Sequence, residues 1–403
     1  MSTWAELTTG QRIKHLRGSE LTQHGLAEAA EVSYALVQKA EQDRGELSVG
    51  SLLKLAAALQ TDVSVILGQQ SPRRGMPHGI RAALRALSDA VHESALGEWG
   101  GLDEPSGVEA LSEARDGAWA AYWAGDTVTV SALAARVLME GQVRYSTASG
   151  VERERLGLVL ASTYRVAASC ATGYGYRDLA LSALTSAKGL AREAGDPVLG
   201  ALLDSTLSWT YLRSAQLHRA VAVAERAALR IEPSFSTSDR PHLLAYGRLM
   251  ISAAVAASRR EDGSAADTYL SQAHAAAARL GSDVKLHGTN FGPTAARTEA
   301  VGIAVALKDY GRALTLSSHP DMRTLPAGMS KVARNRYRLD VALAQASSGL
   351  YDAAGDTLIK VGLDAPEWVK HQALPGVIGR RLATVSTARV RSISELIGVP
   401  LIK

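Results

Sequence analysis

The chain has 403 residues, more than one ordinary hydrophobic core holds, so a small domain joined to a larger array is expected. Hydrophobic residues make up 46% and charged residues 21%, a globular balance, while only 5% aromatics and abundant alanine favour close-packed helices over sheets. The net charge of +4 says little about nucleic acid by itself, the single Cys170 excludes an intrachain disulfide, and no signal-peptide core or membrane-length apolar run is seen, so a cytoplasmic protein without membrane association is expected.

Residues 8–67 read as five short helices. Ile13 and Leu16 share one face of the first. Thr22 is placed to cap the second, with Leu26, Ala27 and Ala30 inward, and Val32 fills the turn that follows. Ser33 caps a third helix from Tyr34 to about Gln42, with Val37 and Ala40 inward and Gly45 as its stop. Leu52, Leu55, Ala56, Leu59, Val63 and Leu67 close the domain. The segment "GQQSPRRGMPHG", with helix-breaking Gly and Pro and the cations Arg73 and Arg74, reads as a linker. The expected organisation is therefore a domain over 1–70, a linker over 71–79 and a helical array over 80–403.

From about Ile80 to Val399 the apolar period is 3.6 residues, and no alternating strand pattern persists. Turn-rich breaks, among them "LGSDVKLHGTNFGP", divide this region into paired helices. A phase recurs in them: a turn residue, then alanine five positions on, then small or apolar positions further along. It reads Gly175 and Ala180, Ala215 and Ala220, Glu261 and Ala266, Lys308 and Ala313, Gly349 and Ala354, with a looser version near "AAYWAGDTVTVSALAARVL". Small alanine suits a point where two helices cross closely. The phase resembles that of tetratricopeptide repeats, although its steps of 40, 46, 47 and 41 residues exceed the usual period of ~34. A generic alanine-rich helical bundle is the alternative. The fold class expected is all-α, a five-helix head followed by a TPR-like α-solenoid of paired helices.

The second and third helices of the head form a helix-turn-helix layout. "LTQHGLAEAAEVS", the Glu41 to Gly45 spacing and "LLKLAAALQTDVSVIL" resemble the XRE (Cro/C1-type) family of DNA-binding regulators over about 60 residues. The resemblance implies that Gln23 touches phosphate at the start of the second helix. It places Ser33, Tyr34 and Ala35 at the groove entrance, Gln38 and Lys39 at base edges and Arg44 on phosphate, while Glu41 pairs internally with Arg17. The chain departs from the family pattern in a shorter Arg17–Leu21 loop and in Glu31, which stands where a turn glycine is common. Residues 1–70 also carry six Lys/Arg against eight Asp/Glu, a net charge of −2. Nonspecific affinity should then be weak, and binding would need focused cations, help from Arg73 and Arg74, or the avidity of a dimer.

A head of this type before TPR-like repeats is similar to actinobacterial HTH–TPR regulators and to the quorum-sensing RRNPP group. That likeness implies double-stranded DNA with an inverted-repeat operator, a homodimer assembled through the array, and a small-molecule or peptide effector in the array. Inward positions of the first helix of each repeat then offer Arg165, Ser169, Trp209, Arg248, Thr298 and Arg336 as ligand contacts. Arginine forks suit a carboxylate or phosphate, and tryptophan supplies a flat wall. Peptide-clamping asparagine rows are missing, with only Asn290 and Asn335 in the chain. Metalloprotease, P-loop and serine-hydrolase motifs are absent, so neither an enzyme nor a cofactor or metal is expected. A protein-interaction scaffold with a vestigial helix-turn-helix is the alternative function. Repression and activation are not distinguished.

Overall fold

Side-chain caps set where the first helices begin. In the computed structural model, which describes residues 4, 7–19, 21–45, 47–59, 61, 63–68, 78–97, 105–234, 239–323, 325–326, 329–369, 372, 374–398 and 401, the head contains α1 (Thr9–Arg17), α2 (Gln23–Ala29), α3 (Tyr34–Glu41), α4 (Val49–Ala58) and α5 (Val63–Ile66). Thr8, Thr22, Ser33 and Ser48 accept the free N–H groups of Gln11, Gly25, Leu36 and Ser51, and Thr8 with Gln11 forms a full capping box. Ile13, Leu26, Val37, Leu52, Leu55 and Ile66 are completely buried in the head core. Glu31, at the position where glycine was expected, adopts a left-handed φ of 50°. The end of α3 differs from the sequence reading. Asp43 at φ 55° makes the reversal before Gly45 is reached, and the Arg44 N–H closes onto the Lys39 carbonyl at 2.8 Å. Aspartate tolerates this conformation, and here its carboxylate is held by the Gly10 N–H and the Thr8 hydroxyl. The expected linker with Arg73 and Arg74 lies outside the described residues except for His78 and Gly79.

Beyond it stands α6 (His78–Leu96), then the pairs α7 (Val108–Ala124) with α8 (Thr127–Thr147), α9 (Gly150–Gly173) with α10 (Arg177–Glu193), α11 (Pro197–Arg213) with α12 (Leu217–Arg230), and α13 (Arg240–Arg259) with α14 (Gly263–Leu280). A hairpin of β1 (Val284–Leu286) and β2 (Thr289–Phe291) follows. The chain ends with α15 (Pro293–Ala306), α16 (Tyr310–Ser317), α17 (Pro320–Arg323), α18 (Lys331–Ser347), α19 (Tyr351–Asp364), α20 (Pro366–Val369), α21 (Leu374–Ala383) and α22 (Thr387–Ile397). Two compact units divide it: Met1–Met76 with Ser258–Asp262 and Thr298–Lys403, and Pro77–Ala257 with Gly263–Arg297. No described helix is long and apolar enough to cross a membrane.

One turn recurs between paired helices. Gly125, Gly175, Ala215, Glu261, Lys308 and Gly349 all have φ between 56° and 82°. After five of these, the next residue donates its N–H back across the turn: Asp126 to Ala121, Tyr176 to Ala171, Gln216 to Tyr211, Asp309 to Ala304 and Leu350 to Gln345. At Gly125, Gly175, Ala215 and Gly349 the left-handed residue reverses the chain so that the second helix returns along the first. Five residues later stand Val130, Ala180, Ala220, Ala266, Ala313 and Ala354, all 0% exposed. The fold is thus all-α apart from the hairpin, with adjacent helices packed in pairs as in a helical repeat array. Ala220 sits among Val221, Ala256, Tyr211, Leu212 and Tyr269. Ala220→Leu should overpack this crossing and cost about 1–3 kcal/mol, read as a lower urea midpoint at unchanged m-value.

The hairpin departs from the expected absence of strands. Its register pairs Val284 with Phe291 and Leu286 with Thr289, leaving His287 and Gly288 as a two-residue loop. Both loop residues have positive φ, 47° and 73°, the requirement of a type I′ turn. Three-residue strands are too short to reveal a period of two.

Candidate functional site

On α3 the apolar residues Val37 and Ala40 face inward, which turns Ser33, Tyr34, Ala35, Gln38 and Lys39 outward as one exposed surface. Arg44 is exposed just past the helix. A chain of polar contacts braces this surface from behind. Arg17 Nε and Nη2 donate to the two Glu41 carboxylate oxygens at 2.6 and 3.2 Å, and Arg17 Nη1 reaches the Leu21 carbonyl at 2.6 Å. Gln23 Nε2 donates to Glu41 at 2.7 Å, and the Tyr34 hydroxyl donates to Gln23 Oε1 at 3.4 Å. The His24 ring stacks on Tyr34 with centroids 3.9 Å apart and planes 5° apart, a pairing across the turn that sequence reading missed. Burial raises the Glu41 carboxyl, but hydrogen bonds from Arg17 and Gln23 and the charges of Arg17 and Lys14 outweigh it, leaving it below its ordinary value.

The head's cations are few. Arg12 is buried, donating to the Trp4 and Ile66 carbonyls, and burial together with Arg380 pushes it down to about 10. Arg17 is committed to Glu41. Of the six, Lys14, Lys39, Arg44 and Lys54 keep solvent access, and Lys54 also donates to the Glu31 carbonyl at 3.3 Å.

The proposed ligand contacts separate into two groups. Arg165 and Ser169 lie on α9, Trp209 on α11 and Arg248 on α13, whereas Thr298 and Arg336 belong to the other unit. There Thr298 is buried, and exposed Arg336 reaches Asp340 at 3.8 Å, a neighbour on its own helix. Hydroxyls on the first helices of successive pairs join those helices to one another. Ser162 accepts from Trp119 Nε1 at 3.0 Å, Thr172 bonds Thr210 at 2.9 Å, and Ser205 bonds Ser252 at 2.9 Å. These hydroxyls serve helix packing. Ser169 is buried and Trp209 half-buried.

The charges of Arg165, Arg248 and Arg213 all act on the Tyr122 hydroxyl, although burial is the larger effect and raises it. Arg165 is 6% exposed and lies over the Trp119 ring at 4.8 Å. Its Nε donates to Thr206 Oγ1 at 2.9 Å, Nη1 to the His287 carbonyl at 2.6 Å and Nη2 to Thr289 Oγ1 at 2.6 Å. Burial and neighbouring Arg248 push its guanidinium down to about 9, so it remains a cation at neutral pH. Trp119, which the sequence reading did not single out, is the ring that Arg165 lies over. Among the described residues no group of His, Cys, Asp or Glu is arranged to hold a metal ion.

The described residues form a chain of paired helices with one short hairpin, an exposed, braced helix in its head and a buried arginine under the hairpin. No protein-family model matches the chain, and neither does any curated protein or solved structure.

Proposed function

We propose that the chain is a sequence-specific DNA-binding transcriptional regulator of XRE type, whose TPR-like array takes an effector and joins two copies. The observation that carries this reading is the outward set Tyr34, Gln38 and Lys39 on a Ser33-capped helix, braced by Arg17, Glu41 and Gln23. Helix α3 enters the major groove and α2 crosses the backbone. Gln38 offers a paired donor and acceptor to an adenine edge, and Lys39 a cation to guanine or phosphate. Gln23 meets phosphate at the start of α2 and also accepts from the Tyr34 hydroxyl, and Arg44 meets phosphate. With so few free cations one head binds weakly, which favours a homodimer on an inverted repeat. The effector is a small molecule or a peptide, and its binding changes the spacing of the two heads. The same shortage of cations favours the second reading, a scaffold protein whose head no longer binds DNA.

Genome-wide occupancy followed by a gel shift on the enriched sites separates the two. Gln38→Ala should cost about 1–3 kcal/mol per half-site and relax preference at one base pair. Lys39→Ala should weaken all sequences more evenly if it meets phosphate, with a shallower salt dependence. A wild-type protein that shows no sequence preference in the gel shift would leave the scaffold reading.

A further inference from the structure

The turn of the hairpin sits on the first helices of several pairs at once. Trp123 Nε1 donates to the Gly288 carbonyl at 2.8 Å, and His287 Nε2 lies 3.3 Å from Asp196, the capping residue of α11. The Gly288 backbone lies flat on Trp119, so close that a Cβ there would stand 2.1 Å from the ring. Further along β2, the Phe291 ring fits against the bare backbone of Gly247 on α13. The most demanding partner is Arg165. A buried guanidinium beside a second arginine is normally answered by a carboxylate. Here all three hydrogen-bond acceptors are neutral. Two of them, the His287 carbonyl and the Thr289 hydroxyl, lie at 2.6 Å from the two terminal nitrogens. Those are the places that the paired oxygens of one carboxylate take on an arginine fork.

We infer that the Arg165 cradle is a binding site for a carboxylate linked to an aromatic group, and that the hairpin is its resident stand-in. Thr289 and Phe291 are alternate residues of one strand, so the acid and ring positions of that ligand are spaced by roughly 7 Å. The incoming carboxylate takes both terminal nitrogens of Arg165, where the two neutral oxygens of the turn now sit. The ring takes the notch at Gly247, and the hairpin leaves. A two-stranded hairpin of this length does not hold itself together away from its supports, so once displaced from them it loses its ordered structure. This rests on reading the paired helices as an effector-binding array. It is tested on the protein without DNA, so its failure and that of the DNA-binding reading are separate results.

The full-length chain is titrated by calorimetry with 4-phenylbutyrate and with N-acetylphenylalanyl-glycine, each beside its uncharged amide, and hydrogen exchange is followed over residues 284–291. Gly288→Ala cannot seat its turn against Trp119. It should lose protection over 284–291 and bind at least one of the acids tenfold or more tightly than the wild type. Neither amide should bind, and adding Arg165→Met should abolish acid binding. In the wild type, saturating acid should speed exchange over 284–291. Preference for one probe tells a free aromatic acid from a peptide terminus. Absence of binding by Gly288→Ala, equal binding of acid and amide, or binding that survives Arg165→Met overturns the proposal. If Gly288→Ala does not fold, Thr289→Val removes one of the two stand-in oxygens at nearly constant shape. A several-fold gain in affinity is then expected, and unchanged affinity overturns it.

Discussion

Phe291→Ala is expected to cost about 3–5 kcal/mol, the range for emptying a fully buried aromatic site. The ring is 0% exposed and packs where α13 has no side chain, at Gly247. Backbone on one side cannot collapse into the void, which places the cost high in that range. The loss should also spread, because Trp123, Arg165 and the Gly288 turn hold a hairpin that has little cohesion of its own. Urea unfolding gives the cost, and hydrogen exchange over 284–291 reports the release. The mirror substitution, Gly247→Ala, would put a Cβ 2.1 Å from the ring and should cost about 1–3 kcal/mol through overpacking. The double variant should cost clearly less than the sum, since the methyl of the new alanine occupies part of the space the ring vacates. Strictly additive costs would show that the two residues do not meet.

The left-handed turns explain why the array was readable from sequence and the hairpin was not. Gly175 and Gly349 announce such a turn by themselves, but Ala215, Glu261 and Lys308 do not. Those three were found through the buried alanine five residues later, a spacing fixed by the reversal itself. The helix starts of the head were equally open to reading because their hydroxyl caps at Thr22 and Ser33 are local, whereas the Arg17–Glu41 pair spans 24 residues and was implied only by the family resemblance. The Arg165 cradle has the opposite character. Its partners His287 and Thr289 are 122 and 124 residues away, and Trp119 approaches from a third helix. Periodicity places Arg165 on the first helix of its pair and says nothing of what crosses that helix. The loop "HG" was the available signal, and strands of three residues on either side were too short to support it.

Glu41→Ala should destabilise the head by about 1–3 kcal/mol, the cost of leaving a part-buried charged donor without its partner. The Glu41 side chain is 3% exposed and Arg17 13%, and the guanidinium left behind keeps only the Leu21 and Gly18 carbonyls as protein acceptors. Hydrogen exchange of the α1 and α3 amides isolates this cost from the array. The pH dependence carries a definite sign. Because the folded carboxyl lies below its ordinary value, its contribution is fully present above the unfolded glutamate range near ~4.3 and is lost as pH falls toward the folded value. Glu41→Gln should therefore fall short of the wild type at neutral pH, and the gap should narrow in acid. A gap that stays constant down to pH ~3 would assign the loss to packing instead of charge. The same carboxylate fixes Gln23, which in turn meets the Tyr34 hydroxyl. DNA affinity should then fall even at temperatures where the variant head stays folded, because Gln23 is no longer held beside the Tyr34 hydroxyl at the start of α2. Gln23→Ala separates the two effects. It leaves the Arg17–Glu41 pair in place, so it should reproduce the loss of affinity with little of the loss of stability.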